Sequence, residues 1–376
     1  MRAVELYAGT GRSLEPFRER PWITECLLVD IDPHARATYL ANHPNANYML
    51  GDLARIQAEE IKEWAGGEVD LLFGCPPCQG YSDGGRRDPA DPRNVHVIRF
   101  ASLAVKLQPL AICMENVPGL ASSPLFEEFC SKLAKAGYQF DCQIGNAATL
   151  GSCQTRQRLL LIAFRGDVSA KPSFPPPTHG TGRSYFSYST GRYQKLPDDP
   201  VGLLGITPGA ARARIPGGGD PNRTKLWGDM PIPVLGEVFA GLSDLEIEDA
   251  KALSHIPAPH TPEMLKIMQS VKPGKRWDGG RDHFSQAYGR LHLDGLARTI
   301  TGSFSNSGSG RYWHPVENRA LTLREAARIQ GFEDDFRFLG PVSADRMLVG
   351  NALDGALARH CFRAVAEGLR LTGLDN

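Results

Sequence analysis

Short apolar runs alternate with amphipathic stretches through the first half of the chain. Residues 3–7, 25–31, 48–50 and 71–73 are brief apolar runs, each followed within two residues by glycine or aspartate, and such runs read as buried strands. Residues 95–107 carry helical spacing. The run 111–114 reads as a strand that stops at Glu115-Asn116-Val117-Pro118-Gly119, and residues 124–136 read as a helix stopped by Gly137. Residues 138–144 and 158–164 read as paired strands. Strands alternating with helices predict an α/β domain. Periodicity then fails: Pro172, Pro175, Pro176 and Pro177 mark a boundary, and residues 178–314 are rich in glycine and proline. There a strand is expected over 295–301 and a glycine- and serine-rich loop over 304–312. Order returns at Thr322, a predicted N-cap with Glu325 completing a capping box and Gly331 as the stop. Residues 343–369 read as helical with a break at Val349-Gly350-Asn351-Ala352, and the last part should pack back on the first domain. The expected organisation is therefore residues 1–177 and 315–376 forming one domain, with 178–314 inserted.

Composition adds bounds. With 376 residues, 41% hydrophobic and 22% charged, the chain can bury a large core. Eight scattered cysteines, no signal-peptide pattern and no run of eighteen apolar residues lead us to expect a reducing cytoplasm and no membrane anchor. The first strand begins almost at residue 1, so no amino-terminal regulatory module is expected. Formal net charge is zero, but over residues 151–225 eleven Lys and Arg stand against four Asp and no Glu. That excess suits a phosphate-binding face, and equally an ordinary solvated surface.

The candidate chemistry begins at Leu71-Leu72-Phe73-Gly74-Cys75-Pro76-Pro77-Cys78-Gln79. Two prolines stiffen the chain just before Cys78, at the end of a strand bordering the ligand crevice of an open sheet, a position suited to a nucleophile. Three other readings compete: a redox Cys75–Cys78 pair, half of a metal site, and a buried inert thiol. A second CxxC that would complete a four-thiolate site is absent, so no metal is expected. Tyr7-Ala8-Gly9-Thr10-Gly11 resembles a cofactor turn. Leu14 replaces the third glycine of a dinucleotide fingerprint, which weighs against a nicotinamide oxidoreductase. Asp30, Asp52 and Asp70 are candidate strand-end carboxylates, although Asp70 precedes its apolar run and also fits a turn residue, and a carboxylate at the second strand's end can accept ribose hydroxyls. Cys78 and Glu115 both follow buried strands, so they can meet. Arg156 and Arg158, alternating before a strand, can point the same way and clamp phosphate or a base edge.

Taken in order, these segments resemble the DNA cytosine-5 methyltransferases across nearly the whole chain. Leu6-Tyr7-Ala8-Gly9-Thr10-Gly11, Asp30-Ile31-Asp32 and Gly51-Asp52-Leu53 are similar to the cofactor motifs. Pro76-Pro77-Cys78-Gln79 is similar to the proline-cysteine loop, Glu115-Asn116-Val117 to the glutamate motif, and Gln154-Thr155-Arg156-Gln157-Arg158 to the two-arginine motif. Residues 319–332 and Val349-Gly350-Asn351-Ala352 resemble the closing motifs. Tyr7 and Arg12 stand where the family more often has phenylalanine and glycine, Asp30 where it has glutamate, and Leu353-Asp354 where it has valine-proline.

The resemblance implies a Rossmann-like S-adenosylmethionine-dependent methyltransferase fold with an inserted, loop-rich target-recognition domain, acting on double-stranded DNA. Tyr7 would stack on the cofactor's adenine, with Ile31 and Leu53 beside it. Gly9 and Gly11 would admit the amino-acid part, Asp30 would take the ribose hydroxyls, and Asp52 would accept from the adenine amino group. Pro77, Asn351 and Ala352 would border the pocket. Cys78 would be the covalent nucleophile and Glu115 the partner of the ring's N3. Arg158 would hold the cytosine carbonyl or a phosphate, while Arg156 would order the loop. Residues 80–93, with Gly84-Gly85 and Arg86-Arg87, would close over a base turned out of the duplex. A monomer in the cytoplasm, associated with the nucleoid and accompanied by a separately encoded restriction endonuclease, is the expected setting. A transfer-RNA cytosine-5 methyltransferase of the same fold and an inactive DNA-binding homologue are the alternatives; the long insert and the lack of a Cys-Phe-Thr tripeptide favour DNA.

Overall fold

The apolar runs of the first half pair side by side. The computed structural model describes residues 1–18, 20–81, 88, 90–180, 185–187, 192–194, 230–242, 246–279 and 287–371. Strands β1 (Arg2–Leu6), β2 (Glu25–Asp30), β3 (Asn47–Leu50), β4 (Leu71–Gly74), β5 (Ala111–Asn116), β6 (Tyr138–Asn146) and β8 (Gln157–Arg165) form one seven-stranded sheet, with β7 (Gln154–Thr155) outside it. Its order is β3-β2-β1-β4-β5-β8-β6. β8 alone runs against its neighbours β5 and β6, while β3, β2, β1, β4 and β5 pair in parallel.

Side chains alternate between two buried layers, as period-two geometry requires. After the short helices α1 (Glu15–Arg18) and α2 (Pro33–Asn42) come α3 (Ala58–Trp64), α4 (Val95–Leu107) and α5 (Pro124–Lys135), which Val4, Leu6, Leu27, Leu72, Ile112 and Leu159 meet through Ile61, Phe100 and Phe129. Ala3, Phe73, Cys113 and Leu160 face the other way, onto Phe17 and onto Leu357, Phe362 and Val365 of the helix Gly355–Gly368. The carboxy-terminal segment thus completes the second layer, which is why its apolar positions recur at helical spacing.

Strand order reverses between β1 and β4, so the connections leaving these two strands diverge and open a crevice at their carboxyl ends. The turn after β1 and the loop carrying Cys78 flank it.

Three expectations change. Asp70 does not join the row of strand-end carboxylates: it precedes β4, at the opposite edge, where its Oδ2 accepts from Arg2 N at 2.8 Å. The strand expected over 295–301 shortens to Ala297–Arg298, pairing with β7, because Ile300 N is taken by the Gln154 side chain at 3.2 Å. The helical break falls after Asn351, since Val349, Gly350 and Asn351 complete the helix Val342–Asn351, and Asp354 caps the next one through Ala356 N at 2.8 Å. Within 178–314 the helix Pro262–Ser270 is also present, started by Thr261 Oγ1 accepting from Met264 N. Much of the basic stretch, and residues 82–87 and 89 of the loop after Cys78, lie outside the described residues. The capping box at Thr322 and Glu325 forms as the sequence predicts.

Candidate active site

Five parallel strands deliver their carboxyl ends to one edge. After β1 the backbone turns with positive φ at Tyr7 (58°), Gly9 (50°) and Gly11 (72°). At Gly11 a Cβ would also lie 2.4 Å from the Tyr39 ring, so glycine is required there twice over. The turn is tied to β2 and β3: Asp30 Oδ2 accepts from Gly9 N at 2.8 Å, and Tyr48 Oη donates to Gly9 O at 2.9 Å. Burial raises the Asp30 carboxyl above its usual value, opposed by the N–H groups of Gly9 and Asp32. Asp52, after β3, accepts from Ala54 N at 2.9 Å and lies near the exposed Arg55. Tyr7 Oη meets Nδ1 of His96 on α4 at 3.2 Å, the rings edge to face at 5.4 Å.

Beside these carboxylates stand large apolar side chains exposed to solvent. Ile31 is 65% exposed and Leu50 48%, whereas Leu53 is a core residue at 3%. Exposed branched apolar groups next to strand-end carboxylates make a surface on which a flat, partly apolar ligand with hydroxyl groups can lie.

Cys78 sits two prolines beyond β4. Its loop is held by Asn116 Nδ2 donating to Pro76 O at 2.9 Å and by Asn94 Oδ1 accepting from Gly80 N at 3.3 Å. A Cβ on Gly80 would fall 2.1 Å from the Asp88 carbonyl oxygen, so this turn too depends on glycine. The Cys78 thiol is buried, and burial together with the Asp91 charge pushes it up to about 12. Cys78 packs into the layer of α4 while Cys75 packs against the opposite one. The two thiols of the CxxC therefore face apart, which removes the redox-pair reading. Among the described residues no cluster of His, Cys, Asp and Glu could hold a metal ion.

Glu115 lies on β5, in parallel register with β4 (Gly74 opposite Met114), so it arrives beside the start of the Cys78 loop. The segments stay together further out: a Cβ on Gly119 would come 2.5 Å from the Tyr81 carbonyl. Because β8 is antiparallel, its first residues return to the same edge, and Arg158 Nε pairs with Glu115 Oε1 at 2.7 Å with both side chains largely buried. Arg156 departs from the shared clamp suggested by alternation. It precedes β8 rather than lying in it, and its guanidinium is buried, donating to Ile300 O (2.9 Å), Gly350 O (3.3 Å) and Ala352 O (3.1 Å). Burial, helped by nearby Arg158, pulls Arg156 down to about 9, still charged at neutral pH.

Arg156 thus joins β7, the segment after Arg298 and the end of the helix Val342–Asn351. Arg156→Ala is expected to leave buried carbonyls without donors and to cost on the order of 3–5 kcal/mol, read as a fall of several degrees in Tm. An unchanged melting curve would contradict that assignment. Asn351 is exposed at the same helix end, Ala352 is buried, and Pro77 is half-buried beside Cys78. The sequence reading did not single out Asn94 or His96 as site residues, and both lie around the first turn of α4. Their side chains carry no motif, and only the fold brings them to the crevice.

The family described as C-5 cytosine-specific DNA methylase matches residues 1–209 and 237–367. The chain belongs to that family. It is 30% identical to the Type II methyltransferase M1.HphI of Haemophilus parahaemolyticus over 97% of this chain and 86% of that protein. It is 26% identical to the Type II methyltransferase M.DdeI of Desulfomicrobium norvegicum, over 96% and 87%. Among solved structures, the Entamoeba histolytica methyltransferase EhMeth superposes with a TM-score of 0.64 at 15% identity, covering 98% of each chain. The S. pombe Dnmt2 methyltransferase gives 0.61 at 16%, covering 99% of this chain and 100% of that one. At such identities the structures show the fold alone, an α/β sheet of this kind; the methyl donor follows from the family. Among the described residues no helix is long and apolar enough to cross a membrane.

Proposed function

We propose that the chain transfers a methyl group from S-adenosylmethionine to carbon 5 of a cytosine turned out of double-stranded DNA, through a transient bond between Cys78 Sγ and carbon 6. The observation that carries this reading is the parallel pairing of β4 with β5, which brings the Cys78 loop and Glu115 to one edge. The residues around the β1 turn suit the donor: Asp30 has lone pairs left for ribose hydroxyls, Ile31 offers an exposed apolar face, and Gly9 leaves room above its backbone. Tyr7 and Asp52 would line the same side, with the buried Leu53 behind them and Gly11 shaping the turn, and Pro77, Asn351 and Ala352 would border the pocket. When bound there, S-adenosylmethionine supplies an electrophilic methyl group.

The protein's own groups do the rest. Sγ of Cys78 gives its proton to solvent water and adds to C6, and the displaced electron pair moves toward N3. Glu115 meets N3 with a proton or hydrogen bond, and the remaining N–H groups of Arg158 face the ring carbonyl. C5 is then nucleophilic enough to accept the methyl group; loss of its proton and expulsion of the sulfur restore the aromatic ring. Burial keeps the Cys78 thiol protonated at neutral pH in the free chain. Arg156 orders the loop.

Residues 1–177 and 315–376 would form the catalytic domain and 178–314 the target-recognition domain, with 80–93 closing over the base. The relatives' Type II names are consistent with a separately encoded restriction endonuclease as companion, and we expect a monomer working on the nucleoid in the cytoplasm. The direct test sequences methylated DNA from cells expressing the chain beside a Cys78→Ser control. We expect 5-methylcytosine in one short motif with the first and none with the second; equal signals would overturn the reading. Because residues 151–225 carry a large positive excess, DNA affinity should fall steeply with added salt, by roughly one log unit per log of salt for each phosphate neutralised. A flat titration would contradict phosphate contact by this stretch.

A further inference from the structure

The glycine- and serine-rich loop over 304–312 and the turn around Gly274 take no part in the proposed chemistry. Over residues 271–279 and 297–311, five Lys and Arg stand against one Asp. The fold gathers these cations. Arg298 pairs in register with Thr155, just before the Arg158 that meets Glu115. Thr299 O accepts from Tyr312 Oη at 2.9 Å, which brings Arg311 beside the strand Ala297–Arg298. Arg311 in turn packs over Gly289, where a Cβ would fall 2.7 Å from its Cγ, and its Nη1 donates to Gly274 O at 3.2 Å. Gly289 bridges to Arg276, and Gly274 sits between Lys272 and Lys275. The cations therefore form a row that starts by the active-site edge and ends at the turn 272–276.

Buried Arg290 holds this row from behind. Its guanidinium N–H groups go to Met268 O, Val271 O, His314 O, Glu317 O and Asn318 Oδ1, at 2.5 to 2.9 Å, so every donor is used and the turn is fixed against the helix Pro262–Ser270. Lys272, Lys275 and Arg276 are exposed, while Arg298 and Arg311 are half-buried. Asp278 lies 3.5 Å from Arg276 Nε, an exposed pair that water screens. Burial, and then the charges of Arg298 and Arg276, hold Arg311 below the usual guanidinium value; like charges crowd here, and an arriving anion would relieve them.

We propose that Lys272, Lys275, Arg276, Arg298 and Arg311 form a phosphate-binding row that takes the backbone of duplex DNA along the inserted domain, beside the cytosine to be methylated. The proposal rests on the function proposed above and adds which side chains grip the substrate. Continuity with the active-site edge selects DNA as the occupant, because the strand carrying the reacting base must pass there. Between Arg298 and Arg311, residues 299–310 carry no charge and are mostly serine, glycine and threonine, so a sugar–phosphate backbone can approach closely without meeting a carboxylate. Such contacts orient the duplex and read no sequence.

The test measures the affinity of the full chain for the methylated duplex and for an unrelated one over a series of salt concentrations. Lys275→Gln and Arg276→Gln, both at exposed positions, are each expected to weaken binding about threefold or more on both duplexes and to lower the log–log salt slope by about one; the double variant should lower it by about two. Arg311→Gln should act in the same direction, and Arg311→Lys, which keeps the charge, should restore the slope. Lys106→Gln, in the last turn of α4 at the opposite edge of the sheet, should change neither quantity. An unaltered slope in the double variant would overturn the proposal. So would a loss confined to the methylated duplex, which would mean base contact, or tighter binding to transfer RNA than to duplex DNA. Failure of the underlying function would look different: the intact chain would transfer no methyl group to DNA, whereas failure of this row alone leaves methyl transfer in place and the slopes equal.

Discussion

Serine at position 78 is expected to cut methyl transfer by at least about a thousandfold while leaving the fold and DNA binding in place. The hydroxyl is a far weaker nucleophile than the thiol, and among the described residues none at the end of β4 is a base strong enough to ionise it. Cys78 is buried among apolar side chains, and the exchange removes little volume, so Tm should move by only a few degrees. Rates from single-turnover assays, set beside melting curves and DNA-binding isotherms, separate the two effects. A serine variant with more than about a tenth of the intact rate would remove Cys78 as the attacking group.

Glu115→Gln is expected to lower kcat by about a hundred- to a thousandfold with little change in KM for DNA. The amide keeps the shape but cannot deliver a proton to N3, and general-acid assistance of this kind contributes roughly 10²–10⁴ in rate. It also leaves Arg158 without the carboxylate it meets at 2.7 Å. A drop confined to KM would mean instead that Glu115 serves only ground-state binding.

Much of the sheet was legible because its strands are short apolar runs closed by glycine or aspartate, and their two-layer burial leaves few alternatives. Cys78 and Glu115 could be paired from sequence alone because each ends a buried run, and parallel neighbours put such ends on one edge. The fate of Arg156 was only partly legible. The spacing suggested two guanidiniums pointing together, but the chain pauses between β7 and β8, and three carbonyls from distant segments capture the first. Asp70 precedes its apolar run rather than following it, which already allowed a turn residue in the sequence, and in the fold it does sit at the edge away from the crevice. Tyr7 and Arg12, two departures from the commoner family pattern, have visible partners. The Tyr7 hydroxyl meets His96, and the Arg12 guanidinium lies over the Phe332 ring at 4.6 Å and donates to Gly331 O at 2.5 Å. Helix Pro262–Ser270 was missed because the surrounding glycines and prolines masked one short amphipathic turn sequence.

The measurement that bears most directly on the transient sulfur–carbon bond uses duplex DNA containing 5-fluorocytosine at the methylated position, with S-adenosylmethionine present. Fluorine cannot leave C5 as a proton does, so the sequence of steps halts with the ring still attached to the protein. The account predicts a complex that survives denaturation, one cytosine per chain, attached through a peptide containing Cys78, and none from Cys78→Ser. Methylation of ordinary cytosine without any such complex, or attachment at a different residue, would contradict it.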